Sequence, residues 1–103
     1  MKTAEIAKLL SGKILVDSDA DPVNFYAGDF LSRVMGKAPS DSVWITVMGN
    51  VNVAGVAVLA EIKTVVVCEG VSPMPQLVEK CEQEGIALIT TDKGVYECCR
   101  LVG

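Results

Sequence analysis

The chain has 103 residues, room for one domain and one core, and with half of them apolar and 21% charged it is not a disordered sequence. Nine Lys and Arg against thirteen Asp and Glu give a net charge of -4, and the basic residues stand singly, so the clustered positive surface of a nucleic-acid-binding protein is missing. There is no His, which removes Ser-His-Asp and Cys-His catalysis, His-bearing metal sites and a His-based pH switch.

Thr3 is placed to cap a first helix with Ile6, Leu9 and Leu10 on one face, and Gly12 to close it at the C′ position. Lys13–Val16 reads as a short strand, followed by the acidic loop Asp17–Pro22 and a second short strand, Val23–Ala27. Asp29 then caps a helix running to Lys37, with Phe30, Leu31, Val34 and Met35 on its buried side. Pro39-Ser40-Asp41-Ser42 returns the chain to extended form.

From here a pattern repeats. Val43–Val47, Val65–Cys68 and Ile86–Ile89 are continuous apolar runs, the type expected of strands covered on both faces. Each is followed by a small polar or Gly-bearing turn and a helix, about 51–61, 73–84 and 92–101, the middle one closed by Gly85. Strand starts at Val43, Val65 and Ile86 are 22 and 21 residues apart, and three such units in succession predict parallel strands with right-handed crossovers. The amino-terminal third adds one or two strands at an edge. The expected fold is α/β: a compact three-layer domain over residues 1–103, with a mainly parallel central sheet of four to five short strands and flanking helices.

Asp17-Ser18-Asp19-Ala20-Asp21 imitates the opening of a calcium-binding EF-hand loop. The positions that require Gly and Glu hold Pro22 and Gly28, and a strand precedes the loop, so a solvated acidic loop is the better reading. No Gly-Lys-Ser/Thr phosphate loop and no Gly-x-Gly-x-x-Gly fingerprint occurs, so ATP hydrolysis and dinucleotide chemistry lack support. The four cysteines, Cys68, Cys81, Cys98 and Cys99, have no Cys-x-x-Cys spacing, and adjacent positions on a helix do not form a two-ligand face, so no metal is expected. Met1–Ile6 leads into no apolar signal segment, and Val43–Ala60 is broken by Gly49, Asn50, Asn52 and Gly55, so reduced thiols in a cytoplasm and no membrane span are expected.

In open parallel sheets, ligands bind outside the carboxyl ends of the strands, where helix amino termini offer N–H groups. That edge would carry Gly49, Asn50 and Asn52 from one turn, Gly70 and Ser72 from the next, and Thr90, Thr91 and Asp92 from the third. Singly, each has a structural reading as turn or cap: Ser72 precedes Pro73, and Thr91 or Asp92 can cap the last helix. Together they make a candidate ligand pocket. Cys68, at the end of the middle run, is a candidate nucleophile without a His to activate it, and a buried small hydrophobe is the plainer reading.

The order of these segments resembles the DRTGG domain, a small α/β module related to the amino-terminal domain of HPr kinase/phosphorylase. The resemblance runs from Gly12 to Val102, through Gly28–Met35, Val43-Trp44-Ile45-Thr46, Thr64–Gly70, Ser72-Pro73 and Glu84–Asp92. No Asp-Arg-Thr-Gly-Gly run is present, and Met48-Gly49 and Glu69-Gly70 stand where many members are richer in Gly. Fused members imply a regulatory or sensing role. Stand-alone members are similar to proteins encoded beside iron-hydrogenase genes in anaerobic bacteria, and the related uridine-nucleotide-binding domain of Mur ligases keeps nucleotides among the ligands implied.

The resulting expectation is a non-catalytic, cytoplasmic regulatory domain without a cofactor, binding a small anionic ligand, a nucleotide or phosphometabolite, or a protein partner. The alternative is a homodimeric interaction module without a small ligand, accessory to an iron-hydrogenase system. A thiol enzyme using Cys68 is a third.

Overall fold

The computed structural model describes all residues, Met1–Gly103. Five strands, β1 (Lys13–Val16), β2 (Asn24–Ala27), β3 (Ser42–Thr46), β4 (Thr64–Val67) and β5 (Ala87–Thr90), form one sheet in the order β1-β5-β4-β3-β2. The helices are α1 (Thr3–Leu9), α2 (Leu31–Lys37), α3 (Asn52–Leu59), α4 (Pro75–Glu84) and α5 (Val95–Val102). Strands β2 to β5 are parallel, and β1 runs antiparallel to β5. The expected mainly parallel α/β sheet is therefore the fold.

The apolar runs occupy the centre because both of their faces are covered. In β3, Trp44 faces one core while Val43 and Ile45 face the other; Val65 and Val67 oppose Val66 and Cys68, and Leu88 opposes Ile89. Alternation of period two thus disappears from the hydropathy pattern without leaving the geometry. The sheet divides the interior into two cores in place of the one expected from the length: the first lies under α2, α3 and α4, with Val34, Val53, Ala57, Leu77 and Cys81, and the second under α1 and α5, with Ile6, Leu10 and Cys98.

The chain steps from β2 to β3, β4 and β5 always toward the same neighbour. Right-handed crossovers then place α2, α3 and α4 on one face, and the terminal helices α1 and α5 cover the other. Such a sheet has no internal point where strand order reverses, so a ligand crevice of the doubly wound type does not arise between β2 and β5.

The two amino-terminal strands are split between opposite edges of the sheet instead of sharing one. At about 4.8 Å per strand, β1 and β2 lie roughly 19 Å apart, and the eight steps from Val16 to Asn24 reach at most about 29 Å. The acidic segment is therefore an extended strap: Asp17, Asp19, Asp21 and Val23 are exposed, and Ser18, Ala20 and Pro22 turn inward in strict alternation. It crosses at the amino edge of the parallel strands, where the Val23 and Asn24 N–H groups both donate to Asp41 O. Nowhere are three acidic or thiol groups gathered closely enough to hold a metal ion. A register shift between Ile14 and Val16 sends these two residues to opposite cores, as an extra residue in one strand does.

Several caps differ from expectation. Lys2, not Thr3, holds the N-cap position of α1, its N–H donating to Glu5 Oε1 at 3.1 Å. Ser11 (φ 49°) takes the C′ position, with Gly12 one residue further: Gly12 N–H donates to Ala7 O and Ser11 N–H to Lys8 O, a Schellman closure. α2 starts at Leu31, and Asp29 does not cap it; of its expected buried side only Val34 is fully buried, while Phe30 and Met35 are exposed. α4 starts at Pro75 and α5 at Val95, later than expected, and neither Ser72 nor Asp92 caps them. No helix is long and apolar enough to cross a membrane.

Candidate functional site

The antiparallel direction of β1 brings its first residues to the edge where the parallel strands end. There the entry turn Ser11-Gly12-Lys13 rises beside the exit turns of β4 and β5, and the three enclose a cleft of about 480 Å³. Its walls are Ser11, Gly12, Lys13 and Leu15 on one side, Gly70–Pro73 on the other, and Thr90, Thr91 and Asp92 along the floor.

Five of the eight residues expected at this edge, Gly70, Ser72, Thr90, Thr91 and Asp92, line the cleft. Gly49, Asn50 and Asn52 do not. Gly49 stands behind the wall: a side-chain carbon there would lie 3.2 Å from Pro73 Cα and 3.3 Å from Ser72 O, and Gly49 O accepts the Met74 N–H at 2.8 Å. Its lack of a side chain lets the 70–73 loop close over it. Asn50 turns its Oδ1 to the Asn52 N–H at 3.0 Å, serving the start of α3, and Asn52 borders a separate groove beside α2.

The cleft is held by buried polar contacts. Thr91 Oγ1 donates to Leu10 O at 2.7 Å and accepts the Lys93 N–H at 3.2 Å, joining the end of α1 to the exit of β5. Gly70 N–H donates to Thr91 O at 3.0 Å, Val71 N–H to Cys68 O at 3.3 Å and Glu69 N–H to Lys93 O at 2.9 Å. Most turn N–H groups expected to meet an anion are therefore already engaged within the chain. Those of Ser72 and Asp92 donate to no protein acceptor, and the amino termini of α4 and α5 lie outside the walls.

Lys13 is the only cation among the lining residues and takes part in no ion pair, and Asp92 is the only anion, likewise unpaired. The strap carboxylates Asp17, Asp19 and Asp21 sit at the opposite edge of the sheet. The four residues of β1 separate the two edges by roughly 13 Å, more than the Debye length of about 8 Å at physiological salt, so the charge of the strap is screened from the cleft.

Sequence reasoning missed the β1 entry turn because it left the direction of that strand open. The signal was present: no helix lies between Val16 and Val23, and strands joined by so short a link without a crossover run antiparallel to each other.

Beside the β4 exit, Asp29 Oδ1 accepts Thr46 Oγ1–H at 2.6 Å and the Val47 N–H at 2.9 Å, and Trp44 Nε1–H donates to Gly28 O at 2.8 Å. These contacts fasten the β2 exit turn to the end of β3. All four cysteines are free, and Cys68, Cys81 and Cys98 are buried. Cys68 Sγ–H donates to Cys98 Sγ at 3.5 Å. Burial, and then the contact with Cys98, raise the Cys68 thiol far above the ordinary cysteine range, so it is neither reachable nor ionised as a nucleophile must be.

No protein-family model matches the chain, and no curated protein sequence does. Among solved structures it is similar to the CBS and DRTGG domains of the regulatory region of a Clostridium perfringens pyrophosphatase, complexed with the activator diadenosine tetraphosphate. The TM-score is 0.82 at 14% identity, and the match covers 98% of this chain and 45% of that one. This chain thus spans less than half of that structure, and the likeness is one of fold.

Proposed function

We propose that the chain is a non-catalytic regulatory domain of the DRTGG type that binds a nucleotide or phosphorylated metabolite in the cleft between the β1 entry turn and the exits of β4 and β5. The observation that carries this reading is one polar cleft whose only cation, Lys13, has no partner within the protein. Its volume of about 480 Å³ lies in the roughly 300–1,000 Å³ range of small-molecule sites. In this reading Lys13 and the Ser72 and Asp92 N–H groups take the phosphate, and the Ser11, Ser72 and Thr90 hydroxyls add donors. The Asp92 carboxylate suits a ligand N–H or hydroxyl. Gly49 supports the 70–73 wall, and Asn50 and Asn52 stay outside the site. The activator-bound regulatory region with the same fold supports a nucleotide. The buried, protonated state of Cys68 supports regulation over thiol catalysis.

Thermal denaturation in the presence of millimolar mononucleotides, dinucleoside polyphosphates and phosphorylated sugars tests the proposal. A ligand at a hundred times its Kd stabilises by about 2.7 kcal/mol, on the order of 10 °C or more for a domain of this size. Lys13→Ala, at an exposed side chain, is expected to leave the ligand-free melting temperature unchanged and to weaken binding at least about tenfold, the loss of one charge-assisted contact. No stabilisation by any of these compounds would overturn the reading.

A further inference from the structure

α3 has the composition of a helix buried all round, yet this chain covers only one side of it. Its inward residues Val53, Ala54, Val56 and Ala57 are in the core. The outward stripe, Val51, Asn52, Gly55, Val58 and Leu59, follows the same helical spacing and carries no charge. Leu59 is 73% exposed, and Phe30, the N-cap residue of α2, is 68% exposed. Between α2 and α3 runs a mainly apolar groove of about 510 Å³, lined by Leu31, Met35, Val51, Val56 and Leu59, with Lys80 its one charged residue, paired with Glu84 at 3.7 Å. Contiguous apolar surface of this kind on a small domain marks a contact face.

We infer that this face binds a second copy of the chain, with the two α3 helices crossing antiparallel at Gly55. The stripe is symmetric about that residue: Val51 and Leu59 lie four positions to either side, so a two-fold axis through Gly55 sets Val51 of each copy against Leu59 of the other. An axis also places like residues near each other, which penalises charge, and the sequence has none from Val43 to Ala60. A different protein would find no charged group on α3 by which to be recognised, and Lys80 at the groove already has Glu84 as its partner. Antiparallel helices oppose their dipoles favourably. Gly is poorly suited to a helix interior, and a side-chain carbon at Gly55 would meet no atom of this chain within 4 Å. Its absence does let another backbone approach closely, since interaxial distance follows the side chains at the contact.

Sedimentation equilibrium of the full chain at micromolar concentration is expected to show a monomer–dimer equilibrium. Leu59→Glu should raise the dimer dissociation constant by more than about tenfold with an unchanged circular dichroism spectrum, because the side chain it replaces is exposed. Gly55→Cys, oxidised in the native state, should give a reducible crosslinked dimer. Tyr96→Cys, on the exposed face of α5 across the sheet, should not. A monomer throughout the range, a dimer indifferent to Leu59→Glu, or crosslinking through position 96 in place of 55 would each overturn the assignment.

Discussion

At the scale of single residues, polar side chains at the strand exits serve the junctions between elements. Thr91 shows this most clearly, because its buried hydroxyl both donates to Leu10 O and accepts from Lys93 N–H. Thr91→Val keeps the shape and leaves a buried carbonyl and an N–H short of a partner, which costs about 1–3 kcal/mol. Urea unfolding should register that loss, and an unchanged midpoint would show that water replaces the hydroxyl without penalty. The same logic explains why sequence reading assigned Asp29 to a cap. A short carboxylate before a helix accepts from whichever donors come nearest, and here these are the Thr46 hydroxyl and the Val47 N–H at the end of β3. Nothing local to Asp29 indicates that β3 ends beside it, whereas the capping preference is local and therefore visible.

Among elements, β1 decides the candidate site. It lies against β5 so closely at its start that a side-chain carbon on Gly12 would sit 2.8 Å from Thr90 O and 2.9 Å from Ile89 Cγ2. Gly12→Ala must push the strand outward and is expected to destabilise by about 1–3 kcal/mol, as overpacking does. Amide hydrogen exchange should show the loss concentrated in β1 and the β5 exit; a variant as stable as the parent would mean that the turn moves freely. The central strands were legible as continuous apolar runs, and α3 to α5 within a few residues, because these signals repeat over short distances. The later starts of α4 and α5 were hidden because Ser72, Pro73 and Asp92, good initiators in isolation, are drawn into the walls of the cleft.

For the whole molecule, three thiols buried on both sides of the sheet make stability depend on alkaline pH. Burial pushes the Cys81 thiol up to about 11, and Cys68 and Cys98 are also raised, chiefly by burial. Unfolded cysteines ionise near pH ~8.5, so above that pH the unfolded chain holds fewer protons than the folded one and stability falls. For Cys81 the loss is spread from about pH 8.5 to 11, and each buried thiol adds a slope of up to about 1.4 kcal/mol per pH unit. Urea unfolding from neutral to alkaline pH checks this, with Cys81→Ala expected to flatten the slope even as it lowers stability overall. A stability constant to pH ~10.5 would refute it. By itself the sequence determined the fold class, the central strands and the exclusion of His-based chemistry, and it pointed to the strand-end edge, where the structure has a cleft. All of these follow from composition and from periodicities a few residues long. Only the tertiary structure decided that β1 and β2 take opposite edges, that Ser11, Gly12 and Lys13 face Gly70 and Asp92 across one cleft, and that one side of α3 stays uncovered. Such facts rest on contacts like that of Thr91 with Leu10, 81 residues apart in the chain, and no short-range pattern encodes which distant segments will meet.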